Sequence, residues 1–318
     1  MASERAGLRK IIARLGTPDV VERLADLPAS ELSTVLLEVA RARASGVAPV
    51  DVQRRYRSDR FSRPARVPFR ALREVEDLFI EAVPANARWV VTSPLAVFGV
   101  HAALGHVSQD WVVSTVRANE VAADPTATLA LEAASVRADS ARRRNASVHR
   151  FATIQRVTRA QLYESPDAFV HFSIFGLVTA GRSQPSNRFD VESLIEHLAV
   201  FERALSRRVD SIEIVLSVSD DPNGEQLLGA VRKYCAETRT VAVSVDAGRL
   251  PSQQYYRRAC FKVHASAGGG RFELADGGFT DWTERLLDDR HERLLISGAG
   301  LDRPALVLRE TGGSEEAS

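Results

Sequence analysis

A chain of 318 residues, 45% hydrophobic and 26% charged, has the balance of a folded globular protein and enough length for one large domain or two modest ones. Its formal net charge of +1 excludes the global basic field that dominates non-specific nucleic-acid binding, and no apolar run approaches the length of a membrane span. The two cysteines, Cys235 and Cys260, form neither a metal-ligand spacing nor a disulfide framework. MASERAGLRK at the N-terminus lacks a signal peptide's apolar core, so the expected compartment is a reducing cytoplasm. Histidines such as His101, His106 and His149 are scattered and show no H-E-x-x-H pattern, so no metal is expected.

Residues 1–62 read as a small helical domain. TPDVVERLADL suggests a short helix with Thr17 as cap and Pro18 in its first turn. SELSTVLLEVARARA places Leu32, Val35, Leu36 and Val39 on one face, with Ser30 as N-cap and Gly46 as stop. RSDRFSRPARVP is polar, basic and proline-broken, and reads as a linker. From about residue 66 the segments alternate. RALREVEDLFIEAV is an amphipathic helix, RWVVTSPL a strand ending at Pro94, and PTATLALEAASVRADSARRR a helix with a basic end.

FVHFSIFGLVTAG is a strongly apolar strand. VESLIEHLAVFERALSRR follows as a helix with Val191, Leu194, Ile195, Leu198, Phe201 and Leu205 at core spacing. SIEIVLSV and TVAVSVDAG read as strands separated by the helix QLLGAVRKYCAE; YYRRACFKVHA and RFELADGG read as paired strands joined by SAGGG. The series ends in a strand, a glycine turn and a helix, with residues 311–318 as a disordered tail. Together these predict an α+β fold whose mostly antiparallel sheet is flanked by helices, spanning 66–310 after the helical domain.

SGAGLDRPALVL, Ser297 to Leu308, contains Gly-x-Gly-x-x-Arg at that last turn. Glycines there allow close backbone approach, a helix start attracts anions, and Arg303 offers a fixed fork of donors; an ordinary strand–turn–helix with a solvated arginine is the plainer alternative. Other segments fall in order with it: VVTSP ending at Pro94, QRVTRAQ from Gln155 to Gln161, VHFSIFGLVTAG, YYRRACFKV, GGFTD from Gly277 to Asp281, and GLDR from Gly300 to Arg303. In that order they resemble the catalytic core of class II aminoacyl-tRNA synthetases, most closely the histidyl-tRNA synthetase branch.

The resemblance implies a site for ATP, with Mg2+. Arg156 would hold the α-phosphate and Arg303 the γ-phosphate as the catalytic pair, with Phe172 stacking on adenine and Gly300 beside the phosphates. Thr126, Gln161, Tyr255, Tyr256 and Gly278 would line the pocket of a carboxylic or amino acid. It also implies a homodimer paired through about Arg70 to Pro94, using the stripe Leu72, Val75, Leu78 and Phe79.

Departures from the family pattern are specific. Thr158 stands where the second motif has glutamate, Thr126 where the branch has its ammonium-gripping acid, and Pro251, Ser252, Gln253 and Gln254 where it has Arg-Gly-Leu-Asp. The loop through LYESPDAFVH is longer. About 15 residues follow Arg303, too few for a tRNA-reading domain, so full tRNA recognition is not expected. Two functions follow: ATP-dependent activation of an acid as an acyl-adenylate for an unidentified acceptor, or a non-catalytic regulatory or ligand-binding subunit. Between them, a tRNA-binding accessory using ARRRN is a third reading, against which a solvated helix end is the plain one.

Overall fold

The computed structural model describes residues 2–141, 147–161, 170–238, 240–246, 248 and 255–310. The run at Arg142 to Arg144, most of the LYESPDAFVH loop, the Pro251–Gln254 stretch and the tail 311–318 lie outside the described residues. Four helices come first: α1 (Ala2–Leu15), α2 (Val20–Ala25), α3 (Ala29–Ser45) and α4 (Pro49–Ser58). No residue of α2, α3 or α4 is buried. Of the expected apolar stripe of α3, Val35 and Val39 are exposed and Leu32 and Leu36 are only half-buried. Pro28, not Ser30, caps α3, because its fixed φ suits the position before a helix and Ser30 already lies one residue inside. Likewise α2 starts at Val20 behind Asp19, beyond Thr17 and Pro18.

The remaining chain builds an eight-stranded sheet in the order β1-β4-β5-β10-β9-β8-β6-β7. Its strands are β1 (Arg88–Trp89), β4 (His149–Thr158), β5 (His171–Arg182), β6 (Ser211–Val218), β7 (Val241–Val245), β8 (Tyr256–Ala267), β9 (Gly270–Thr280) and β10 (Glu292–Gly300). Only β1·β4 and β6·β7 pair in parallel; every other neighbour is antiparallel. The strand expected over RWVVTSPL shortens to Arg88–Trp89, and a separate ribbon of β2 (Leu95–Val97) and β3 (Asn119–Val121) begins just past Pro94. Gly268 and Gly269 both take positive φ in the β8–β9 turn, which their lack of a side chain permits.

Alternation along the strands sorts side chains between two faces. On one, Phe151, Val178, Ala180, Leu294 and Ile296 pack against Leu129, Ala130 and Ala133 of α7 (Pro125–Ala141) and Trp282 of α10 (Trp282–Leu287). On the other, Ala152, Phe175, Leu177, Phe261 and Leu295 pack with α5 (Phe69–Ala82), α8 (Arg188–Leu205) and α9 (Pro222–Thr238). Phe79, Phe175, Phe201 and Phe261 form an aromatic row through this second layer. Val75 and Phe79 are buried in it, with Leu72 and Leu78 packed alongside. The stripe expected to pair two subunits is therefore core: its apolar face is spent on its own sheet.

Candidate functional site

The face covered by α7 opens at one end into a cavity of about 150 Å3, below the range of drug-sized pockets. Asp124, Thr126, Arg159, Phe172, Ile174, Tyr255, Tyr256, Asp276, Gly298 and Gly300 are among its lining residues. Each arrives by parity. Val157 pairs with Phe172 and Gln155 with Ile174, so odd residues of β4 and even residues of β5 share the cavity face. Gly298 pairs with Asp276 across β10 and β9, which brings that carboxylate to the same face.

Asp124 starts α7. Its Oδ1 accepts from the Thr126 N–H at 2.9 Å and from the Thr126 hydroxyl at 2.7 Å, closing the first turn of the helix. That occupies the Thr126 hydroxyl, while the other carboxylate oxygen, Oδ2, stands 4.0 Å from the Arg159 guanidinium. Arg159 donates from Nε to the Ala123 carbonyl at 3.0 Å and lies over the Phe172 ring, 5.3 Å from its centroid. Opposite, the Tyr256 hydroxyl donates to Asp276 Oδ2 at 3.1 Å, and Tyr255 donates to Tyr256 at 3.4 Å. Burial raises the pKa of both tyrosines above the ordinary phenol value, so both stay protonated donors. Tyr255 is held between Tyr256 and Trp282, at centroid distances of 4.5 and 5.4 Å. Behind Asp124, His101 is buried and accepts at Nε2 from the Ala123 N–H; burial lowers its pKa and keeps the ring neutral.

Of the residues expected at the site, Thr126, Phe172, Tyr255, Tyr256 and Gly300 line this one cavity. Gly278 lies beneath it: a side chain there would meet the Tyr256 ring at 2.6 Å and the Ala259 carbonyl at 2.8 Å, so its role is to let Tyr256 lie against β9. Gln161 is not among the lining residues, and its carbonyl is taken by Arg60 at 3.1 Å. Arg156 pairs with Ser173, on the opposite face of the sheet. There its guanidinium makes four hydrogen bonds, to His171 Nδ1, the His171 carbonyl, Ser173 and Asp302. Asp302 is buried and also accepts from the Ser173 N–H at 2.6 Å. Arg303, next along in α11 (Asp302–Glu310), is exposed and makes no hydrogen bond or ion pair among the described residues.

The structure therefore does not bring Arg156 and Arg303 together with the cavity. Arg159 lies over one face of Phe172, the ring expected to stack on adenine. Asp124, Arg159, Glu273 and Asp276 are charged lining residues that the sequence reading did not place at the site. Asp-Pro-Thr as a helix start and strand alternation through Gly278 were the signals for two of them; Arg159 required knowing which strand face is covered. Among the described residues, no group of three or more histidines, cysteines or acids is placed to hold a metal ion, and no helix is long and apolar enough to cross a membrane.

No protein-family model matches the chain, and no curated protein sequence matches it. Solved structures do. An ATP phosphoribosyltransferase regulatory subunit/histidyl-tRNA synthetase from Bacillus halodurans aligns with TM-score 0.58 and 14% identity over 79% of this chain and 82% of its own. A histidine–tRNA ligase subunit from Alicyclobacillus acidocaldarius aligns with TM-score 0.58 and 14% identity over 80% of this chain and 98% of its own. A threonyl-tRNA synthetase structure from Cryptosporidium parvum aligns with TM-score 0.55 and 10% identity over 78% of this chain and 66% of its own. At such identities the likeness is one of fold. The fold is that of the class II synthetase-like core in general, and the histidyl branch is not singled out.

Proposed function

We propose that the protein binds a small zwitterion of the amino-acid type and acts as a ligand-binding or regulatory member of this fold, without ligase chemistry. One observation carries the reading: among its described lining residues the cavity sets one arginine fork, Arg159, against three carboxylates, Asp124, Asp276 and Glu273, the last already paired with Lys262, with the Tyr255 and Tyr256 hydroxyls beside Asp276. A guanidinium fork suits a ligand carboxylate, and paired carboxylates with phenol oxygens suit an ammonium. A dianionic or wholly apolar ligand would leave charges of one sign unmatched, at considerable desolvation cost. ATP fits these residues poorly. Arg156 is committed to Asp302 behind the sheet, and Arg159 covers the ring that would stack the base.

The test is a thermal-shift and calorimetric screen of the twenty amino acids and their decarboxylated and deaminated analogues. Binding should need both ligand charges, and labelled pyrophosphate should not exchange into ATP with any bound acid. Exchange with one acid would overturn this reading in favour of acyl-adenylate formation. That second reading draws on Arg303, which is exposed at the start of α11 and has no partner among the described residues. The homodimer also belongs to the proposal, now through the exposed apolar surface of Trp89, Val91, Leu95, Val97, Phe98 and Trp111. A single-chain mass in light scattering at micromolar concentration refutes it.

A further inference from the structure

The segment after α4 does more than connect. Arg60 donates to the Ala160 carbonyl at 2.5 Å and to the Gln161 carbonyl at 3.1 Å, the two residues that follow the cavity's cation. Three residues on, the Arg63 carbonyl accepts from His171 Nε2 at 2.6 Å, beside Phe172. The tautomer is fixed, because His171 Nδ1 accepts from Arg156 Nε at 2.9 Å and the ring proton is left on Nε2. One short stretch thus grips both stems of the β4–β5 hairpin where they carry Arg159 and the ring beneath it. The stretch is itself ordered: Asp59 accepts from the Phe61 N–H at 3.0 Å and the Ser62 hydroxyl at 2.6 Å, Arg60 stacks on Phe61, and Arg63 donates back to the Arg57 carbonyl of α4.

We propose that Arg60–Arg63 is a strap that holds Arg159 in register over the cavity and joins the N-terminal helices to it, with Arg60 and His171 as positioning residues. The inference deepens the ligand-binding reading. Whatever binds or shifts α4 changes the placement of Arg159, the cation among the cavity's described lining residues. Among the described residues the hairpin end is also tied by the Arg159 N–H, which donates to the Val170 carbonyl, and the Ala160 N–H, which donates to the Trp111 carbonyl, each at 2.8 Å. Those two amides therefore report on the strap.

Amide hydrogen exchange on the ligand-free chain, read residue by residue by NMR, tests the strap apart from any ligand. In Arg60→Ala the amides of Arg159 and Ala160 should exchange about tenfold faster, while Leu198 in α8 keeps its wild-type rate. Arg60→Lys should fall between, since an ammonium does not reproduce the fork to two carbonyls. His171→Ala should speed the same amides. His171→Gln should restore them, because the glutamine amide supplies both the N–H for the Arg63 carbonyl and an oxygen for Arg156. Unchanged rates at Arg159 and Ala160 in Arg60→Ala would overturn the proposal. So would equal acceleration at Leu198, which marks global loosening, or failure of His171→Gln to differ from His171→Ala. A chain that binds no amino acid but shows the expected exchange pattern keeps the strap and loses only the ligand reading.

Discussion

At the Glu292 end of β10 an arginine and a carboxylate meet with no exposed surface, whereas at its Gly300 end an arginine and three carboxylates line an open cavity. At the first end, Arg137 of α7 donates from Nε and Nη2 to the two oxygens of Glu292 at 2.9 and 2.7 Å, and Arg182 adds a third bond at 3.2 Å. Both members of the Arg137–Glu292 pair are fully buried. At the second end, Arg159 and Asp124 remain about a third exposed and 4.0 Å apart. The same residue types serve two purposes. Sealed and fully bonded, they fix α7 on the sheet; lining an open cavity, they are placed to meet a ligand.

Four experiments press on this contrast. The largest effect is expected from Glu292→Ala, which leaves Arg137 buried without its carboxylate and should cost roughly 3–5 kcal/mol in urea unfolding. Replacing both partners with apolar residues should recover much of that loss, and a small effect of the single change would mean that the sealed end is wetter than described. Arg159→Ala should leave the urea midpoint nearly unchanged and weaken zwitterion binding by about ten- to a hundredfold in calorimetry, from the loss of roughly 1.5–3 kcal/mol. An equal loss of stability would erase the distinction between the two ends.

The third concerns His197, buried on the α8 side, which bridges Thr179 and Ser297 at 2.9 and 2.8 Å. Burial lowers its pKa from 6.5 to about 3. The unfolded chain takes up a proton below pH 6.5 that the native state refuses until about pH 3, so this residue's contribution falls as pH falls through that window. Between pH 7 and pH 5 wild type should lose about 2 kcal/mol on this account, and His197→Gln should show a correspondingly flatter acid limb. The smallest effect is expected from Arg303→Ala: within about 0.5 kcal/mol in stability, with no change in zwitterion affinity, because the side chain is exposed and has no partner among the described residues. A large loss of affinity there would bring the second phosphate arginine back into the site.

A continuous apolar run made β5 legible, since it is buried on both faces, and the 3.6-residue period made α5, α8 and α9 legible, because their buried side chains gather on one face. The motif order gave the class of the core. The α3 stripe misled because a period states which residues share a face, not whether anything covers it. Arg156 and Arg159 show the same limit within one motif. They stand three residues apart on and just beyond β4, and the pleat sends one behind the sheet to Asp302 and the other toward Phe172. Motif spacing assigned the phosphate role to the first. Only the register of β4 against β5 reveals which arginine reaches the cavity.

The sheet order carries a kinetic consequence. β10 is the last strand along the chain, yet it lies inside the sheet, paired on one side with β5 and on the other with β9. During synthesis the β4–β5 hairpin and the β8–β9 hairpin emerge with facing edges and nothing between them. Leu294 must reach Ala180, far back in the sequence, before the layer is continuous. Until then the chain holds two half-sheets with unpaired N–H and C=O rows, the kind of edge that recruits strands from other molecules. Pairings so distant in sequence also slow folding through the entropy of closing long loops. Variants that weaken β10 should therefore reveal themselves first as insoluble protein in the cell, before any defect is measurable in the purified fraction.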